Sequence, residues 1–83
     1  NEGSIKMTTD VIVPLDLWEE DSEAVITSWL ASNGASVSEN DVIAELMVEK
    51  IQYELLAPAS GTLAIIKDAD EIVAKGDKVA TIG

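Results

Sequence analysis

Residues 44–61 read AELMVEKIQYELLAPASG, with Lys50 near the centre. Apolar side chains stand at Ala44, Leu46 and Val48, alternating with Glu45, Met47 and Glu49. Past Lys50 the alternation resumes as Ile51, Tyr53 and Leu55 against Gln52 and Glu54. A period of two predicts strands with one buried face. If Glu49-Lys50 is a two-residue turn, Val48 lies opposite Ile51, Leu46 opposite Tyr53, and Ala44 opposite Leu55. All six apolar side chains then share one face, and a slip of one residue destroys the match. The prediction is a β-hairpin with Lys50 held out at its tip.

The turn is not chosen for its turn chemistry. Tight hairpins favour Asn-Gly or Asp-Gly, which adopt positive φ at little cost, and Glu-Lys has neither advantage. Lys50 is also the only positive charge between Lys6 and Lys67. At this point two readings stand: a solvated lysine at a loop tip, or a lysine placed there for use.

With 83 residues the chain makes one domain, burying roughly 60–65% of its surface on folding. Apolar residues make up 47% of it, enough for a core without staples. There is no cysteine and no histidine. Disulfides, thiol chemistry, imidazole bases and the usual zinc sites are therefore excluded. No apolar run approaches the ~20 residues of a membrane helix, and no secretory signal is recognisable. Asn1 to Thr9 reads as a flexible polar lead-in to a single domain at residues 10–83, its Gly3-Ser4 resembling a cloning remnant. Sixteen acidic against five basic residues give a net charge of −11. A nucleic-acid binder needs the opposite sign. Such a charge keeps a domain soluble and steers it toward basic surfaces on other proteins.

In chain order, Asp10 to Leu15 is a short strand closed by Pro14, which cannot donate to a ladder. Asp16 to Glu23 is an acidic loop whose Trp18 either folds back onto the core or is offered to a partner. Ala24 to Ala31 is β-rich, Ser32-Asn33-Gly34 is a turn signal, and Val37 sits in a short extended piece. Asp41 to Val48 leads into the hairpin. Ala57-Pro58-Ala59-Ser60-Gly61 is an irregular connection. Thr62 to Ile66 is again β-rich, Lys67 to Glu71 is a charged turn, and Asp77 to Ile82 is a last strand. Gly34, Gly61 and Gly76 read as turn glycines, because no helix follows any of them. Trp29, Leu46, Tyr53 and Leu55 read as core.

These pieces repeat. Ala24-Val25-Ile26 corresponds to Gly61-Thr62-Leu63 at a spacing of 37, and Trp29 to Ile66. After one gap, placed in the charged turn, Val37 corresponds to Val73 and Asn40-Asp41 to Gly76-Asp77 at 36. Ile43, Ala44 and Leu46 then correspond to Val79, Ala80 and Ile82. Two copies of one strand–turn unit predict an all-β domain with a quasi-twofold axis.

From Val11 to Ile82 the chain resembles the biotinyl/lipoyl attachment family. Lys50 matches the lysine that family modifies. Ala57-Pro58 and Gly61, eleven residues beyond Lys50, match its Ala-Pro-x-x-Gly segment. Asn40-Asp41 stands at its Gly-Asp pair. The resemblance implies a flattened barrel of two four-stranded antiparallel sheets, with the lysine on a tight hairpin opposite the termini. Biotinyl members carry Met-Lys-Met, whereas Glu49 keeps the acidic residue that precedes the lysine in lipoyl members. Met47 and Ile51 depart from the usual lipoyl residues. The lipoyl reading is preferred over a biotinyl carrier of carboxylate, and over a non-carrier barrel used for protein interaction.

On that resemblance the chain is a carrier and not itself an enzyme. A lipoate ligase would join lipoic acid to Lys50, and the arm would serve a 2-oxo acid dehydrogenase-type complex. Its partners would be a thiamine-diphosphate decarboxylase, an acyltransferase core and the flavoprotein dihydrolipoamide dehydrogenase. Glu49, Ile51 and Trp18 would take part in recognition. The setting implied is the bacterial or archaeal cytoplasm, preferred here, or the mitochondrial matrix.

Overall fold

The computed structural model describes residues 8–83. Eight strands follow one another: β1 (Thr9–Ile12), β2 (Ala24–Trp29), β3 (Ser36–Val37), β4 (Val42–Val48), β5 (Ile51–Leu56), β6 (Gly61–Ile65), β7 (Ile72–Val73) and β8 (Lys78–Ile82). They form two four-stranded antiparallel sheets, ordered β1-β8-β6-β3 and β5-β4-β2-β7. The all-β architecture is the one expected from the repeat, and the two four-stranded sheets are those the family resemblance implies. Of the expected lead-in, residues 1–7 lie outside the described residues, while Thr9 already pairs with Ile82.

Alternation along each strand sends one set of side chains between the sheets. Ile26, Ile43, Leu46, Leu55, Leu63 and Ile82 are the largest of the fully buried groups. Each contributes roughly 1.5–3 kcal/mol by leaving water. Leu46 and Leu55 are thus core, as expected. Trp29 and Tyr53 are only half-buried against it, because each carries a polar atom that must stay satisfied or wet. The Trp29 indole meets that need by donating Nε1–H to the carbonyl of Lys67 at 2.8 Å.

The quasi-twofold axis maps β5-β4-β2-β7 onto β1-β8-β6-β3. Val37 and Val73, Ile43 and Val79, and Ala44 and Ala80 are buried in both halves. Turn chemistry follows the same symmetry. Asp41 accepts from the Ser38 amide at 2.9 Å, and Asp77 from the Ala74 amide at 2.8 Å. Before each aspartate stands a residue of positive φ, Asn40 at 74° and Gly76 at 91°. Their amides donate to Ala57 and Val13, each at 2.8 Å. Val13-Pro14 is therefore the counterpart of Ala57-Pro58. Ladder pairing in β1 ends at Ile12, short of the expected Leu15, because Val13 turns to bond Asp77.

The gap between the two copies lies elsewhere than in the charged turn. The β2–β4 register shifts between Ile26 and Ser28, while the β6–β8 register runs through without a shift. Trp29 opposite Ala44 therefore matches Ile65 opposite Ala80, and the counterpart of Trp29 is Ile65 and not Ile66. Thr27 is the extra residue, a β-bulge whose hydroxyl donates to the carbonyl of Glu45 at 3.1 Å. The charged turn is full length. Asp70 donates its amide to Ile26 as Gly34 does to Leu63, and both have positive φ. At Gly61, φ is 153° and an added Cβ would sit 3.0 Å from the carbonyl oxygen of Gly83, so a side chain there meets both strain and backbone.

Candidate functional site

The hairpin register is the one the alternation demands: Val48 opposite Ile51, Leu46 opposite Tyr53, Ala44 opposite Leu55. Two residues are left to turn the chain, and both have positive φ, Glu49 at 47° and Lys50 at 76°. This is the type I′ geometry, whose twist suits the flanking strands. For residues with a Cβ it costs on the order of 1 kcal/mol each. Four non-glycine residues among those described have positive φ, and only here are two adjacent. The strain falls on the turn that carries the Lys50 amine.

Lys50 is exposed, and among the described residues no carboxylate lies within ion-pair distance of its amine. Two other described lysines, Lys75 and Lys78, are engaged. Lys78 pairs with Asp10 at 3.4 Å. Lys75 donates to the carbonyls of Trp18 and Glu19, and its ammonium stands 5.7 Å from the Trp18 ring centre. Ile51, beside Lys50, is 54% exposed even though its pairing partner Val48 is buried. Past Val48 the apolar face of the hairpin runs off the core.

Trp18 is buried, at 3% exposure, so its indole is not presented for recognition as expected. The cause lies far off in sequence: the ring lies 5.9 Å from Tyr53 on β5, and Lys75 covers it from the β7–β8 turn. Its Nε1–H donates to the Ser22 carbonyl at 2.9 Å, closing the acidic loop on itself without a helix. That bend carries Ser22 to the hairpin, where its hydroxyl donates to Glu49 Oε2 at 2.7 Å. Lys75, Trp18, Ser22 and Glu49 form a chain that ties the loop to the tip. Glu49, Lys50 and Ile51 stand together there; Trp18 supports them from below. Ser22 and Lys75 were not foreseen, since their partners are 27 and 57 residues away and no local pattern marks them.

Among the described residues there is no pocket, no group of three or more acidic side chains placed to hold a metal ion, and no helix long and apolar enough to cross a membrane. What the arrangement offers is a projecting primary amine on a fixed turn. A family model described as "Biotin-requiring enzyme", Biotin_lipoyl, matches residues 17–82, spanning both sheets and the tip. The chain belongs to the biotin/lipoyl family. Among its relatives is the dihydrolipoyllysine-residue succinyltransferase component of the 2-oxoglutarate dehydrogenase complex of Cupriavidus necator. That protein is 37% identical over 89% of this chain and 19% of its own length. The dihydrolipoyllysine-residue acetyltransferase component of the pyruvate dehydrogenase complex of Corynebacterium glutamicum is 36% identical, over 90% of this chain and 11% of the relative. The succinyltransferase component of Bacillus subtilis is 35% identical, over 88% and 18%. The chain spans less than a fifth of the length of each of these biotin/lipoyl relatives.

Proposed function

We propose that the chain is a lipoyl carrier domain, with Lys50 the residue that forms the amide to lipoic acid. The carrying observation is Lys50 itself, exposed on an adjacent pair of strained positive-φ residues at the tip of a hairpin. Backbone strain of this kind clusters at functional positions. The family and the acyltransferase names of the relatives support lipoic acid as the group.

The site fits an amide-linked arm: a free amine, no competing ion pair among the described residues, and a stiff base. When bound, lipoic acid supplies a dithiolane that takes up acyl groups and electrons. The protein holds the attachment point still while leaving the arm in solvent. Tethering turns encounters with several active sites into effectively intramolecular events, so the carrier contributes concentration and position while the reactions occur elsewhere. Glu49, fixed by Ser22, and exposed Ile51 give the lysine a distinctive flank for a lipoate ligase to read. Its further partners are a thiamine-diphosphate decarboxylase, an acyltransferase core and dihydrolipoamide dehydrogenase of a 2-oxo acid dehydrogenase-type complex, working in the cytoplasm.

Intact mass after incubation with a lipoate ligase, lipoate and ATP tests this reading. One lipoyl increment is expected on the wild-type chain and none on Lys50→Ala. A parallel arm with a biotin ligase and biotin is expected to leave the mass unchanged. Biotin on Lys50 would move the function to carboxyl transfer, and no increment in either arm would remove the carrier role.

A further inference from the structure

The quasi-twofold axis supplies an internal control for the surface. Away from the bulge and the hairpin tip, an exposed strand position in one half has a counterpart in the other, so side chains required by the fold are expected in both. Among the described residues nine large hydrophobic side chains are exposed. Four of them obey the symmetry: Ile12 matches Leu56, and Leu30 matches Ile66. Three that do not obey it stand side by side. Ile72 on β7 is directly opposite Val25 on β2, and Val25 is directly opposite Met47 on β4. Directly paired residues share a face, so the three form one apolar row across the outside of the β5-β4-β2-β7 sheet, exposed by 62%, 36% and 36%. Their counterparts on the other sheet are Ser36, Thr62 and Gly83, joined by the same kind of ladder. The fold accepts polar or small residues in this row. The apolar row belongs to the sheet that carries Lys50.

Charge breaks the symmetry at the same place. Along β4, Met47 is flanked two residues away on either side by Glu45 and Glu49, and Glu45 stands directly opposite Glu54. Like charges facing each other across a ladder are destabilising. In the other sheet the counterparts are Thr81 and Asp10, with Asp10 neutralised by Lys78. Among the described residues neither Glu45 nor Glu54 meets a lysine. Two features that cost the isolated domain stability, exposed apolar area and unneutralised paired carboxylates, thus adjoin on one face.

We propose that this face docks a partner protein that presents an apolar side chain ringed by lysine or arginine. The row takes the apolar group, and Glu45 and Glu54 take the cations. A second copy of this chain does not fit, since two molecules of charge −11 repel each other. Met47 precedes the tip by three residues, so the face ends about 10 Å of strand short of Lys50. A partner held there has the attachment lysine at its edge. The proposal rests on the carrier reading and adds to it the chemistry of the surface that receives the arm.

The test is a titration of the isotope-labelled, unmodified 83-residue chain with the thiamine-diphosphate decarboxylase components of its host, followed by amide NMR. Broadening is expected at Val25, Met47 and Ile72 and not at Ser36 and Thr62. The row-swapped variant Val25→Thr, Met47→Thr, Ile72→Ser should fold, keep its lipoylation by the ligase, and bind at least tenfold more weakly. Glu45→Gln with Glu54→Gln should remove most of the salt dependence of binding. Broadening confined to the hairpin tip, unchanged affinity in the row-swapped variant, no binding at all, or a dimer formed through the row would each overturn the proposal. The carrier reading fails separately, by the absence of a lipoyl increment on Lys50.

Discussion

Lys50→Gly is expected to stabilise the domain and to abolish its modification. At φ 76° the lysine occupies a region that glycine enters without a Cβ penalty. Relief of that strain is worth about 1 kcal/mol, and for a domain of this size it raises the midpoint of thermal unfolding by roughly 4–8 °C. Lys50→Ala also abolishes modification but keeps the Cβ, so it should melt close to wild type. The pair separates the amine from the backbone: function is lost in both variants, and stability rises in one. Comparing melting curves and ligase-dependent mass increments of the three proteins checks it. If Lys50→Gly melts at or below the wild-type midpoint, strain at the tip is not what singles out the lysine.

Trp18→Ala is expected to be among the most damaging single changes in the chain. The indole is buried, stacks at an angle on Tyr53, lies under the Lys75 ammonium and donates to Ser22. Removing such a side chain typically costs about 3–5 kcal/mol, out of a total of roughly 4–12 kcal/mol for a chain this long. The midpoint should fall by more than about 10 °C. A tryptophan offered to a partner would instead change stability by less than about 0.5 kcal/mol when truncated. Urea unfolding of the variant distinguishes the two. Below its midpoint the variant should still be modified at Lys50, because Trp18 acts on the tip only through Ser22 and Glu49. Loss of modification in the folded variant would make Trp18 part of the recognised surface after all.

The hairpin was legible because its information is local. Six apolar residues on a two-residue period fix both the strands and the register, and the structure pairs them as the alternation requires. The repeat was legible for a related reason, since Ile43, Val79, Leu46 and Ile82 all answer to burial. The bulge at Thr27 was not. A residue inserted into a ladder leaves the surrounding β-rich composition unchanged, and its position shows only when both halves are paired with their partners. Trp18 was ambiguous for the same reason. An aromatic residue in an acidic loop has no local partner, and its burial is decided by Tyr53 and Lys75, 35 and 57 residues further along. The hydroxyl of Ser22 is the extreme case, one of several serines in polar turns until the fold brings it to Glu49.

The Glu49-Lys50 turn shows how local and global demands can part. The alternation around it requires a two-residue I′ turn, yet the two residues present suit that turn poorly. Disagreement of this kind between neighbouring levels of structure marks functional positions. Here it marks the exposed amine at the tip of the hairpin.

The most direct measurement is the mass of the peptide containing Lys50, cut from the protein as its own host makes it. The account predicts a lipoyl amide on Lys50 and on no other lysine. Biotin at that position, or an unmodified Lys50 throughout the population, would contradict it.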